Sequence, residues 1–249
     1  MIDTDPAPIA RSGAPADLHT VDRGLQRFLQ GVFAKVAGGL VLAGGLGHLI
    51  ASTPLRDLLF HMRAEGAHDP VGLTGAGLLV AISPLITLAL FGGVPQTRRR
   101  SALLFWSVAA TMGGASGAVL LAFTGVSIAT TFAGAAAGFG ALALFGYTTR
   151  RNLDPAGAFL SAGLVGLIVA LGLNLVLASP AVTFAVNTLG VFVFAGLIAH
   201  DMQRLKLIYG HAAAEDADLV VASNVGALCL FLDFANLFQF LLAFTGGRR

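Results

Sequence analysis

The chain has 249 residues, of which 56% are hydrophobic and 11% are charged, and its mean hydropathy is +0.82. Soluble domains carry charge on about a quarter of their residues, so this composition excludes a soluble globular protein and indicates a polytopic membrane protein. The formal net charge is only +2, and the basic residues lie between apolar runs rather than in one patch, which argues against nucleic-acid binding.

The first 30 residues are polar, contain proline and lack the apolar stretch of a signal peptide. Their composition is typical of a flexible segment. We therefore predict two parts: a flexible cytosolic N-terminal tail and lead-in at 1–30, and a transmembrane bundle at 31–249.

Seven apolar runs follow one another in the predicted bundle. Each is long enough to cross a hydrocarbon core of about 30 Å as a helix, which satisfies its own backbone hydrogen bonds in lipid. The sequence therefore predicts an all-α membrane protein with seven transmembrane helices, so that the chain contacts the lipid bilayer along most of its length. The runs are 32–51, 71–94, 101–123, 125–147, 156–178, 181–203 and 219–244.

The basic residues flanking these runs predict the orientation of the chain. Eleven of the 15 Lys and Arg residues fall on the side of the N-terminus and four on the other side. By the positive-inside rule the N-terminus is cytoplasmic and, with seven spans, the C-terminus is outside.

Small residues recur four apart in the third and fourth runs, at Gly113 and Gly117 and at Gly134 and Gly138. Such spacing allows helix backbones to approach closely. We therefore expect these two spans to form a tight hairpin across the short turn at Gly125.

A carboxylate interrupts the last run, at Asp233 in LFLDFANLFQFLL. It lies about fourteen residues into the span, roughly 20 Å from the cytosolic edge at 1.5 Å per residue. An ionisable group at this depth costs several kcal/mol, so it usually faces a partner or an aqueous path. Asn236 follows at i+3 on the same helix face and is a supporting candidate.

A second carboxylate, Asp201, ends the sixth run in FAGLIAHDMQRLK. Two interpretations remain open: an interfacial ion pair with Arg204 or Lys206, or an approach to Asp233. In the second case the two carboxyl groups can share one proton, and their titration then belongs to the pair. Carboxylate oxygens also suit calcium, so Asp201 and Asp233 are candidate calcium ligands in a proton-controlled cation pathway.

These residues carry a family resemblance. The stretch 145–211, from FGYTTRRNLDPAG to LIAHDMQRLKLIYGH, together with LFLDFANLF, resembles the Bax inhibitor, or transmembrane Bax-inhibitor-motif, family. The opening VDRGLQRFLQGVFAKVAGGL is similar to that of bacterial members. The resemblance implies a bundle in which six helices surround a central seventh, in the cytoplasmic (inner) membrane of a bacterium.

The resemblance further implies a pH-sensitive calcium leak channel, not an enzyme, gated by Asp201 and Asp233. Its partners are calcium ions and protons, and it needs no cofactor other than calcium as the transported ion. It also implies an arginine that locks the closed state near the cytosolic end of the second span, for which the candidates are Arg98, Arg99 and Arg100. One departure is His200, where the family often has tyrosine, so a titrating side chain adjoins the gate.

Two alternatives come from other protein classes. Bacterial members of the resembled family include modulators of an ATP-dependent membrane protease, so the chain could regulate such a partner without conducting ions. An intramembrane serine protease is suggested by GASG at 114–117 and by His200. The predicted topology places Ser116 and His200 on opposite sides of the membrane, however, whereas a nucleophile and its base must be within hydrogen-bonding reach.

Overall fold

The computed structural model describes residues 18–62, 70–91, 93, 97–214 and 218–247. The first part of the predicted flexible tail, residues 1–17, lies outside the described residues. So do Arg11, Arg63, Arg248 and Arg249, which entered the count of basic residues.

Eight helices and one small hairpin make up the described chain. Six of these helices are long and apolar enough to cross a membrane, so the chain is an all-α, multi-pass membrane protein. The helices are α1 (Leu18–Ser52), α2 (Leu55–Leu59), α3 (Gly75–Phe91), α4 (Arg98–Ala122), α5 (Gly125–Thr148), α6 (Asp154–Leu177), α7 (Pro180–Ala214) and α8 (Leu219–Thr245), and the strands are β1 (Phe60–Met62) and β2 (Pro70–Leu73).

The second apolar run is shorter as a helix than the sequence predicts. The prediction of helix from residue 71 is wrong, because 71–73 belong to β2, which pairs antiparallel with β1. Helix α3 begins after Thr74, whose hydroxyl donates to the carbonyl of Leu58 and accepts from the N–H of Gly77. This leaves α3 with 17 residues.

Polar side chains fix where several long helices begin or end. Thr97 and Thr124 accept from backbone N–H groups in the first turns of α4 and α5, and Asp218 does the same for α8. At the end of α6, Asn174 accepts from the N–H of Ser179 and donates to Thr183, which ties α6 to the start of α7. Side chains in and beside the turns therefore satisfy backbone groups at the helix ends.

Helix α8 lies at the centre of the bundle. It packs against α1, α4, α5 and α7, and its apolar window has the largest buried share of the six long helices. By contrast α3 packs mainly on α4, and α6 mainly on α7. The last helix is therefore central, while a complete ring of six helices around it stays a prediction.

The predicted hairpin of the third and fourth spans is wrong. A Cβ at Gly113 would lie 2.9 Å from the Cα of Ala43, so this glycine faces α1. Gly134 and Gly138 of α5 have no neighbouring atom within 4 Å of such a position. Helix α8 contacts both α4 and α5, and the small residues of α4 pack against α1 rather than against α5.

Candidate functional site

The two carboxylates that the sequence singles out meet at the contact between α7 and α8. Asp201 lies on α7 and Asp233 on α8, and the two side chains are close enough to interact electrostatically. Asp233 is 6% exposed and the side chain of Asp201 is 18% exposed. The structure thus brings together two acidic side chains that are 32 positions apart in the sequence.

A hydrogen bond within this pair would need a proton. Ionised carboxylates only accept hydrogen bonds, so a bond between two of them requires a proton on one. Within the described part of the chain, the buried Oδ2 of Asp233 has no hydrogen-bond donor. A single shared proton would supply one and would remove one of two adjacent like charges.

His200 is a polar neighbour of the pair. Its Nδ1 lies 2.9 Å from Oδ1 of Asp201, and its Nε2 lies 3.9 Å from Oδ1 of Asp154 at the start of α6. The ring packs against Gly157, where any side chain would overlap it. His200 therefore links the surface carboxylate Asp154 to the buried pair.

The interpretation that pairs Asp201 with Arg204 or Lys206 is wrong. Among the residues that the structure describes, neither cation forms an ion pair with Asp201. Lys206 instead donates from Nζ to the carbonyl of Tyr147, at 3.0 Å, and lies 5.5 Å from the centre of that ring. Because Lys206 is held by α5, the carboxyl group of Asp201 is left for His200 and Asp233.

A small cavity of about 100 Å³ adjoins the pair on the side of the α7–α8 connection. Asp201, Arg204 and Cys229 line it, together with apolar residues of both helices. It has room for a few water molecules beside the carboxyl group of Asp201.

On the other side of the pair the contact between α7 and α8 is closed by aromatic rings. Phe194 and Phe240 stack with ring centroids 5.8 Å apart, and the ring of Phe240 lies 2.7 Å from the position of a Cβ at Gly190. Phe194 and Phe240 are each seven residues from their carboxylate, which is two turns or about 10 Å. We call this stack the phenylalanine plug; it packs α7 against α8 two turns from the carboxylates.

The predicted supporting residue Asn236 lies one turn beyond Asp233. Its side-chain amide donates to the carbonyl of Leu232 on its own helix, at 2.8 Å. It therefore does not donate to the carboxyl pair in this conformation, and its supporting role stays a prediction.

Of the three candidate locking arginines, Arg98 is the one that contacts α8. Its Nε donates to Oδ2 of Asp218 at 2.6 Å, while Asp218 also accepts from the N–H of Val220. The Arg98 guanidinium beside Asp218 holds the pKa of that carboxyl below its usual range. Arg99 and Arg100 have exposed side chains.

A buried polar contact continues the α4–α8 interface past this ion pair. The amide of Asn224 donates to the hydroxyl of Ser101 at 2.9 Å, and both residues are buried. Sequence reasoning missed both contacts, although an aspartate directly before an apolar run is a recognisable N-cap signal. Arg98 thus holds the start of α8, fifteen residues from Asp233, and its locking role stays a prediction.

That Asp201 and Asp233 ligate calcium stays a prediction. In the described ranges, no group of three or more His, Cys, Asp or Glu side chains could hold a metal ion. Two carboxylates offer at most four of the six to eight oxygens that calcium takes, so water would have to supply the rest.

The intramembrane protease alternative fails on geometry. Ser116 donates to the carbonyl of Met112 and packs beside Gly47, at the contact between α1 and α4. His200 of α7 lies against Gly157 of α6, and neither of these helices packs extensively on α4. The structure does not place the serine and the histidine in one site.

Comparison with known proteins gives a match over most of the chain. The family model described as "Inhibitor of apoptosis-promoting Bax1" matches residues 25–249. A protein of Caulobacter vibrioides is 44% identical over 233 residues, 92% of each chain. A protein of Rickettsia prowazekii is 37% identical, covering 92% of this chain and 93% of its own. The inner membrane protein YbhL of Escherichia coli K12 is 36% identical, covering 91% and 94%.

Proposed function

The chain belongs to the Bax inhibitor family, and on this premise we propose that it is a pH-controlled cation leak that carries calcium. The observation that supports the proposal is the proximity of Asp201 and Asp233, which places two carboxyl groups beside each other inside the bundle. We place the protein in a bacterial inner membrane, because its Escherichia coli relative is named as an inner membrane protein.

The proposal takes α3 as the second of seven spans. Its 17 residues give a length of about 25 Å, a few ångströms less than a typical hydrocarbon core. A short span is accommodated by local thinning of the bilayer at modest cost. With seven spans the basic residues of the loops favour a cytoplasmic N-terminus.

In this proposal, loss of the proton changes the interaction between the two carboxyl groups from attraction to repulsion. With one proton present, the carboxyl groups attract each other through a hydrogen bond and hold α7 against α8. Without it, two like charges about 4 Å apart repel by about 4 kcal/mol at an effective dielectric constant of 20. That repulsion exceeds the 1.5–3 kcal/mol or so of a hydrogen bond to a charged group, so proton loss favours separation of the two helices.

Helix separation would open the path at the phenylalanine plug. Phe194 belongs to α7 and Phe240 to α8, so their stacking depends on the same contact that the proton stabilises. The two ionised carboxylates would then attract a hydrated divalent cation. Because they supply too few ligands to retain it, the ion is cargo and can leave.

Calcium flux into proteoliposomes tests this proposal, measured between about pH 5 and pH 8. We expect the wild-type flux to rise with pH. Asp233→Asn and Asp201→Asn should give low flux at every pH, because an amide donates to the remaining carboxylate without an added proton. Asp57→Asn, which removes an exposed carboxylate from α2, is the control and should behave as wild type.

Two results would refute the proposal. One is a pH dependence that survives in both asparagine variants. The other is the absence of flux above that of empty liposomes, with the protein shown to be folded. The second result would favour the non-conducting alternative, a modulator of a membrane protease.

A further inference from the structure

A second polar site lies away from the carboxyl pair, between α1, the end of α7 and the start of α8. It is an open pocket of about 330 Å³. Arg27, Lys35, Tyr209 and Ser223 supply its polar side chains. We call it the Lys35 pocket. By the count of basic residues in the sequence, it opens toward the cytoplasm.

The positive charges in this pocket lack acidic partners. Lys35 is partly buried in a helix long enough to span the membrane, and its Nζ donates to the neutral hydroxyl of Ser223 at 2.8 Å. Arg27 lies two turns earlier on the same face of α1. In the described part of the chain neither cation forms an ion pair, and the nearby carboxylate of Asp218 is bonded to Arg98. A cation at membrane depth usually has a partner, so these two side chains are candidates to bind a negative ligand.

The walls of the pocket are well packed. The ring of Tyr209 is 8% exposed and lies 5.4 Å from that of Phe28. Gly24 allows this approach, because a side chain there would overlap the Tyr209 hydroxyl. Ser223, which holds Lys35, is itself 6% exposed. The two cations therefore lie on a packed surface formed by three helices.

We propose that the Lys35 pocket binds a phosphate group at the cytoplasmic membrane surface, namely that of an anionic phospholipid. Arginine and lysine side chains are the usual ligands of phosphate oxygens, the former through its planar fork and the latter as a point charge. Basic pockets between transmembrane helices bind anionic head groups in the same way. Ser223 lies ten residues before Asp233 on α8, so an occupied pocket would also hold the helix that carries the gate.

The test uses the purified full-length protein in detergent, with unfolding temperature and lipid affinity as readouts. Phosphatidylglycerol is the anionic probe, phosphatidylcholine the zwitterionic one and inorganic phosphate the soluble one. Lys35→Gln and Arg27→Gln should each weaken phosphatidylglycerol binding about tenfold or more, the loss expected for one hydrogen bond to a charged group. Arg23→Gln is the matched control, since Arg23 lies on α1 but does not line the pocket.

Each outcome of this test supports or overturns the proposal. Stabilisation by phosphatidylglycerol beyond that by phosphatidylcholine, lost in both glutamine variants and kept in Arg23→Gln, supports the lipid. Equal stabilisation by inorganic phosphate, with the same loss, supports the phosphate chemistry and identifies a soluble ligand. Binding that is unchanged in the two variants overturns the proposal. Arg27 is exposed, so Arg27→Gln keeps the test valid if Lys35→Gln fails to fold.

Discussion

The close contact between α5 and α7 predicts how a single substitution changes the stability of the protein. Gly146 of α5 is buried against the backbone of Ala199, two residues before Asp201. A methyl group there would overlap the carbonyl oxygen of Ala199 and lie 2.9 Å from its carbonyl carbon. Carbon atoms prefer a separation of about 3.5 Å, so in Gly146→Ala the helices must move apart by about 0.6 Å or more.

We expect Gly146→Ala to lower the free energy of unfolding by about 1–3 kcal/mol, the usual cost of overpacking. Gly140→Ala, on the same helix, is the matched control because no neighbouring atom lies within 4 Å of its added methyl group. That variant should be as stable as wild type or gain about 0.4–1 kcal/mol from reduced chain entropy.

Denaturant unfolding in detergent micelles, followed by circular dichroism, measures both variants. We expect Gly146→Ala to be clearly less stable than Gly140→Ala. If Gly146→Ala is as stable as Gly140→Ala, α5 and α7 are not in backbone contact beside Asp201, and the geometry of the site must be revised.

Three further predictions concern the contacts of α8. Because Arg98 holds the pKa of Asp218 below its usual range, their ion pair stabilises the protein above that range and is lost as pH falls through the lowered value. Arg98→Gln should return the Asp218 pKa toward about 3.9, whereas Arg99→Gln should not, as checked by NMR titration of the carboxyl carbon. Ser101→Ala leaves the buried amide of Asn224 without its acceptor and should cost about 1–3 kcal/mol in denaturant unfolding, while Ser107→Ala, at an exposed position, should cost much less. Phe240→Ala removes half of the phenylalanine plug and should raise calcium flux at acidic pH. Phe244→Ala, which alters a ring in edge-to-face contact with Phe184 instead, should not; equal flux in the two variants would contradict a gating role for Phe240.

The lengths of the apolar runs were enough to predict most of the fold. Six of the seven runs correspond to long helices, with α4 and α5 reaching to within a few residues of the predicted bounds. The run at 71–94 failed at its start, because strand pairing with Phe60 depends on a segment eleven or more residues away. The hydrophobicity of the run itself gives no information about a contact with such a distant segment.

The candidate site was predictable only in part, because lipid rather than water surrounds the helices. Asp233 stands out because a carboxylate is costly in lipid. The rotation of each helix is harder to predict, since the lipid-facing and protein-facing sides are both apolar and periodicity says little about which residues face inward. This is why the sequence did not show that Gly113 faces α1, or that His200 rather than Lys206 pairs with Asp201.

The central claim is that Asp201 and Asp233 share one proton that controls the contact between α7 and α8. Infrared difference spectroscopy during a pH titration tests this most directly, because a protonated carboxyl group has a carbonyl band that an ionised one lacks. We predict a band in wild type that disappears over the pH range in which calcium flux appears, and that is absent from Asp233→Asn. A band that persists in Asp233→Asn, or ionised carboxyl groups throughout the titration, would contradict the account.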